Sequence, residues 1–216
     1  MNDKLEKALS RLQHILPIKD RQERCEPQIK RLHQKILQSF VTQGRILSTD
    51  EMAKWVDNIS QAIDTLSKND MVIFSKDSRP VGAYPFTMSL REHTVLVNGF
   101  KVYAMCALDA LAIAPMFNTV TNISSQCRVT GEAINIQMSG EIIQNLNEAS
   151  NIHFGIIWSA SDSDISCANS LCMEMIFLKD QETAKKWQSD DTAEREVFTL
   201  QEAVEFSSRF FVPLLT

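Results

Sequence analysis

Glycine and proline are scarce in this chain of 216 residues, six of each, which argues against low-complexity linkers. No apolar run approaches the ~18 residues that a membrane span needs. The opening segment MNDKLEKALSRLQHILP is charged and amphipathic and has neither the apolar stretch nor the small-residue cleavage site of a signal peptide. Positive charge is also in short supply. Lys and Arg number 22 against 27 Asp and Glu, a formal net charge of −5, and a protein that lives on phosphate backbones needs the opposite balance. These absences lead us to expect a cytoplasmic protein that contacts neither nucleic acid nor membrane. The sequence also lacks a glycine-rich phosphate loop, a GxSxG elbow and a dinucleotide fingerprint. Its five cysteines are odd in number, irregularly spaced and without a CxxC pair, which disfavours both a disulfide framework and a zinc site. Free thiols are therefore what needs explaining.

What is present is enough apolar material, 44% of the chain, to fill a core without staples. The first seventy residues read as helical. Ile29, Leu32, Ile36, Leu37, Phe40 and Val41 recur at the spacing of one buried helix face. Ser48 and Glu51 have capping-box spacing ahead of Met52 and Trp55, and Ile59, Ile63 and Leu66 mark a third helix. The extended stretch MVIFS, a turn through Asp77 and Pro80, and VGAYPF then suggest a small hairpin, the outline of a winged-helix module. Its third helix, DNISQAIDTLSKND, carries three Asp and one Lys, the wrong charge for a major-groove reader. A scaffold role is favoured over a metal-responsive transcription regulator.

From about residue 86 the period changes to two. HTVLV and FKVYA flank Asn98-Gly99, a strong hairpin signal. CALDALAIA (106–114) predicts a short helix ended by Pro115. VTNISSQC, AINIQM, IHFGIIWSA and SLCMEMIFL predict further strands, and helices close the chain around Ala184–Trp187 and Leu200–Phe211. The polar segment 159–170 reads as an exposed loop, His14, His33, His93 and His153 as surface or satisfied core residues, and the nine methionines as core filler. The fold expected is α+β: an N-terminal three-helix winged-helix-like module (1–84), then a mainly antiparallel β-sheet domain (85–216) with a short central helix and C-terminal helices.

The most suggestive local feature is Cys106-Ala107-Leu108-Asp109. Residues three apart share a helix face, and a helix N-terminus favours a thiolate, so thiol and carboxylate form a plausible catalytic pair. A buried small cysteine beside an Asp that satisfies the helix dipole reads equally well. Cys127 and Cys172 look like core thiols, Cys167 like an adventitious exposed one, and Cys25 has no partner group near it in sequence.

The stretch VYAMCALDALAIAPMFNTVTNISSQCRVTGEAINI (102–136) resembles the signature region of organomercurial lyase, or alkylmercury lyase, with its Tyr-Ala-x-Cys-Ala-Leu-Asp and Ser-x-Cys-x-x-Thr-Gly segments. The similarity extends through TMSLREHTVLVNG upstream and through SLCMEMIF, AKKW and LQEAVEFSSRFF downstream, covering most of 84–212. The resemblance implies protonolysis of a carbon–mercury bond. It assigns Cys106 and Cys172 as the mercury-binding thiolates, Asp109 as the proton relay and Cys127 as a structural cysteine. No organic cofactor is implied. External small thiols would support turnover, mercury(II) would be the product, and a mercuric reductase is a plausible acceptor for it; the chain would be a monomer or homodimer. Mercury(II) is soft and prefers thiolate, which suits this residue set. The sequence departs from the family pattern at Met105, where Trp is usual, and in 141–169, where Cys167 is an extra thiol. Met105 and Cys167 are candidate accessory donors. Two other readings stay open: a non-catalytic thiol protein that sequesters mercury or another organometal, and a lyase for organotin or organolead.

Overall fold

A computed structural model of the chain describes residues 3–216. Five helices come first: α1 (Asp3–Ile15), α2 (Ile18–Glu23), α3 (Pro27–Gln43), α4 (Thr49–Met52) and α5 (Ile59–Lys68). In α3 every residue of the apolar stripe is buried, as the spacing requires. The Ser48–Glu51 capping box is formed and starts α4. Sequence periodicity missed α2, which is a single short turn with only Ile18 and Gln22 buried.

The strands β1 (Ile73–Phe74), β2 (Pro80–Ala83), β3 (Phe86–Thr87), β4 (Thr94–Val97) and β5 (Phe100–Ala104) precede the helix α6 (Ala107–Phe117). After it come β6 (Val120–Gln126), β7 (Ala133–Ser139) and β8 (Ile142–Ile143). These eight strands form one antiparallel sheet in the order β1-β2-β3-β5-β4-β6-β7-β8. The hairpin expected to flank a helical module is thus the edge of the main sheet. Asn98 and Gly99 both have positive φ, 50° and 83°, as a tight two-residue turn between β4 and β5 demands.

The rest of the chain comprises α7 (Leu146–Ala149), β9 (His153–Ile157), β10 (Met175–Leu178), α8 (Gln181–Ser189), β11 (Arg195–Thr199) and α9 (Leu200–Phe211). A second antiparallel sheet has the order β10-β9-β11. The architecture is α+β, with N-terminal helices, antiparallel sheets and a C-terminal helix. Helix α6 lies where the two sheets and α9 meet, packing on β5 and β6 on one side and on β10 and α9 on the other. Residues Ala107 to Ala114 are all buried, so α6 is enclosed on every face, with Asp109 as its one charged side chain.

Two boundaries differ from expectation. Helix α6 continues past Pro115 to Phe117 before Asn118 ends it in the left-handed region, because Pro115 falls in the last turn, where the main chain closes through the Thr119 N–H to the Ala114 carbonyl. SLCMEMIFL is strand only from Met175. Leu171–Glu174 winds into a 3-10 turn, with the Met173 N–H donating back to the Ser170 carbonyl. No helix among the described residues is long and apolar enough to cross a membrane.

Candidate active site

The chain arrives at Cys106 in extended conformation, φ −150° and ψ 179°, directly after β5, and Cys106 caps the N-terminus of α6. Its sulfur accepts the Asp109 backbone N–H at 3.4 Å. The 3-10 turn of Leu171–Glu174, leading into β10, brings Cys172 from the other sheet to the same point. One ligand atom each from Cys106, Asp109 and Cys172 lie within 4.8 Å of one another, and all three residues are buried. Residues 63 and more positions apart are therefore joined by the meeting of two sheets on one helix N-terminus.

Burial sets the electrostatics. It pushes the Cys106 thiol up to about 12; a hydrogen bond with Cys172 opposes this and the neighbouring Asp109 reinforces it. The expectation that the helix N-terminus makes Cys106 a resting thiolate is thereby reversed: with 1% of its surface exposed, desolvation outweighs the dipole. The Cys172 thiol also lies well above the ordinary range, through its hydrogen bonds with Cys106 and Cys167 and through burial. Asp109 is raised by burial to about 7, against hydrogen bonding from Cys106 and the charge of Arg91. Its Oδ2 is buried without a hydrogen-bond partner. A carboxyl that titrates near neutrality and keeps one oxygen uncommitted is suited to accept a proton and pass it on.

A cavity of about 240 Å³ leads to this point, with Cys172, Met105, Arg91 and Met173 among its lining residues. Met105 is wedged against β2, where a Cβ on Gly82 would lie 2.8 Å from its terminal methyl. His93, also on the cavity, is buried and satisfied by Ser125 and Glu92, as expected of a core histidine.

Cys167 is the main correction. It is not an exposed loop thiol: it opens a 3-10 turn, Cys167–Asn169, is 6% exposed and lies 3.6 Å, sulfur to sulfur, from Cys172. The polar segment around it is pinned from inside the molecule. The Tyr84 hydroxyl accepts the Ala168 N–H at 2.8 Å and donates to Asp70 at 3.0 Å. Cys127 stands outside the clustered groups, at the end of β6. Burial acts to raise its thiol, yet hydrogen bonds from Thr130 and from neighbouring backbone N–H groups bring it below the ordinary range. Cys25 donates to the Arg21 carbonyl in the helical half. Sequence reading missed Met175, whose sulfur is 3.6 Å from that of Cys106, as well as Arg91, Tyr84 and Asp70. The spacing Met173-x-Met175 after Cys172 was a usable signal, since soft donors clustered there are more than core filler.

Comparison with known proteins gives a consistent result. The family model of alkylmercury lyase matches residues 86–212, more than half of the chain. The chain is 26% identical over 181 residues to an alkylmercury lyase of Bacillus cereus, covering 82% of this chain and 79% of that protein. It is 25% identical over 155 residues to the alkylmercury lyase of Staphylococcus epidermidis, covering 72% of this chain and 68% of that one. The crystal structure of the mercury-bound form of MerB2 superposes with a TM-score of 0.73 at 18% identity, over 92% of this chain and 98% of that one, a likeness of fold.

Proposed function

Because the chain belongs to the alkylmercury lyase family, we propose that it cleaves carbon–mercury bonds by protonolysis, with Cys106 and Cys172 holding mercury and Asp109 moving the proton. The observation that carries this reading is the buried triad of two thiols and one carboxyl within 4.8 Å. An organomercury cation enters through the cavity at Met105 and is captured by a first thiol, which loses its proton as the sulfur–mercury bond forms. A soft cation compensates for the burial that otherwise keeps these sulfurs protonated. Asp109, whose carboxyl is hydrogen-bonded to the Cys106 thiol, accepts a thiol proton. The second sulfur then adds to mercury and weakens the bond to carbon, and Asp109 delivers its proton to the departing carbon. The balance is one organomercury cation and two thiols giving hydrocarbon, a mercury(II) bis-thiolate and one released proton.

The test is headspace detection of methane from methylmercury incubated with protein and excess small thiol. Wild type should release methane over many turnovers, and Cys106→Ser, Cys172→Ser and Asp109→Asn should each lose about 100-fold or more of that rate. Asp109→Asn should still bind methylmercury. The buried third thiol at Cys167 favours, as a second reading, a protein that captures mercury without cleavage. One mercury retained per chain with no methane would establish that reading and sink ours. Methane retained by Cys172→Ser but lost by Cys167→Ser would move the second mercury ligand to Cys167. Met105 in the cavity wall keeps organotin and organolead substrates as further entries to the same assay.

A further inference from the structure

The three buried thiols form a row. Cys172 is hydrogen-bonded on one side to Cys106 and on the other to Cys167. The two ends of the row serve different spaces. The Cys106–Cys172 end meets, at Cys172, the cavity of about 240 Å³, where Leu90, Met105 and Met173 offer apolar contact to an organic group beside the charged Arg91, Glu92 and Arg128. Cys167 lines a separate cavity of about 310 Å³ whose other walls include Arg21, Ser67, Lys68, Asp70 and Ser170. That lining is polar and carries both signs of charge, which suits a small hydrophilic thiol better than an alkyl or aryl group.

We propose that Cys167 is a product-side mercury ligand: it takes mercury(II) from the Cys106–Cys172 pair and presents it to external thiols in the second cavity. This rests on the lyase reading above and adds a way out that does not retrace the way in. The exchange needs no oxidant or reductant. The Cys167 sulfur bonds to mercury as the Cys106–mercury bond breaks, and the proton lost by Cys167 ends on the freed Cys106 sulfur. Mercury is then held by Cys167 and Cys172. Two small thiols displace these in turn, their protons returning to the two cysteines, and mercury leaves as a neutral bis-thiolate. Cys106 and Asp109 are then reset for the next substrate while the metal departs on the far side. The 3.6 Å spacing of Cys167 and Cys172 puts both sulfurs within reach of one mercury, with side-chain rotation opening the gap during transfer.

The experiment separates cleavage from release. Full-length protein loaded with one equivalent of mercuric chloride is mixed with excess glutathione, and protein-bound mercury is followed after rapid desalting. In parallel, benzene from a single turnover of phenylmercury is measured. Cys167→Ser and Cys167→Ala should form benzene within about twofold of the wild-type rate but release mercury at least about tenfold more slowly. Ser67→Trp, which narrows the second cavity from a wall other than Cys167, should slow release in the same way and leave benzene formation unchanged. Release at the wild-type rate from the Cys167 variants would overturn the proposal. Absence of benzene from wild type, with release still dependent on Cys167, would instead refute the lyase reading and leave the relay standing.

Discussion

Asp109 is held at a thermodynamic disadvantage that its proposed chemistry exploits. Burial raises its carboxyl from 3.8 to about 7, so below about pH 4 the folded and unfolded chains both carry the proton and this site costs nothing. Between those values the unfolded chain releases the proton and the folded chain keeps it. Stability from this group therefore falls as pH rises and levels off above 7, at about 1.4 kcal/mol per unit of displacement, a few kcal/mol in all. Asp109→Asn removes the titration. Its melting temperature should exceed that of wild type at pH 8, and the difference should shrink steadily towards pH 4; thermal melts across that range, with the gap independent of pH, would contradict the assignment. Activity should run the other way. Only the ionised carboxylate accepts a thiol proton, so kcat/KM for wild type should rise with pH through about 7 and then level. At this scale the sequence was legible as far as chemistry shows in residue type: Cys106 and Asp109 share a helix turn, and the resemblance supplied Cys172. It was not legible where burial decides. Nothing in the string SASDSDISCANS distinguishes an exposed thiol from one enclosed beside Cys172, because the enclosing groups, Tyr84 and Asp70, come from more than eighty residues away.

Elements position the sulfurs through a few turns that regular periodicity does not describe. Cys106 depends on a strand-to-helix junction, and Cys167 and Cys172 on two successive 3-10 turns. Those turns are tied to the main sheet through the Tyr84 hydroxyl, which bridges the Ala168 N–H and the Asp70 carboxyl. Tyr84 is fully buried, so removing its oxygen leaves the buried Ala168 N–H without its partner and takes one hydrogen bond from Asp70. Tyr84→Phe should cost about 1–3 kcal/mol of stability. It should also slow phenylmercury cleavage, because the segment carrying Cys172 is no longer held against α6. Chemical denaturation together with single-turnover benzene formation checks this; unchanged values for both would show the bridge to be incidental. The same contrast explains which elements the sequence revealed. Helix α3, the Asn98-Gly99 hairpin and the long strands β6 and β7 follow local rules of period and turn chemistry. The 3-10 stretch at Leu171–Glu174 does not: its apolar residues satisfy a strand pattern, and only the packing of β9 and of the Cys167–Asn169 turn against it selects the turn.

Across the whole molecule, one apolar core runs from Leu5 in α1 through Phe40, Phe86 and Leu111 to Leu214, without a break at the junction of helices and sheet. Phe40 of α3 stacks on Phe86 of β3 at 4.6 Å, so the first half of the chain closes the sheet that carries Cys106. Polar ties follow the same route. Gln22 donates to the Leu214 carbonyl at 2.9 Å, Asn98 to the Val41 carbonyl at 3.1 Å, and Arg209 pairs with Glu6 at 2.6 Å. The half-exposed ion pair contributes little, whereas the shared core contributes through apolar area withdrawn from water. Helices and sheets that share one core lose their burial together, so unfolding should be a single transition. Far-UV circular dichroism, dominated by the helices, and emission of Trp158, which stacks under Arg11 of α1 at 4.8 Å, should report the same urea midpoint in a variant with Trp55 and Trp187 replaced by Phe. Two midpoints, with helical signal lost first, would mean that residues 1–84 form a unit of their own and that the second cavity, built partly from Arg21, Ser67 and Asp70, can open while the sheets stay folded. A single midpoint means that both cavities, and the row of sulfurs between them, exist only in the fully assembled chain.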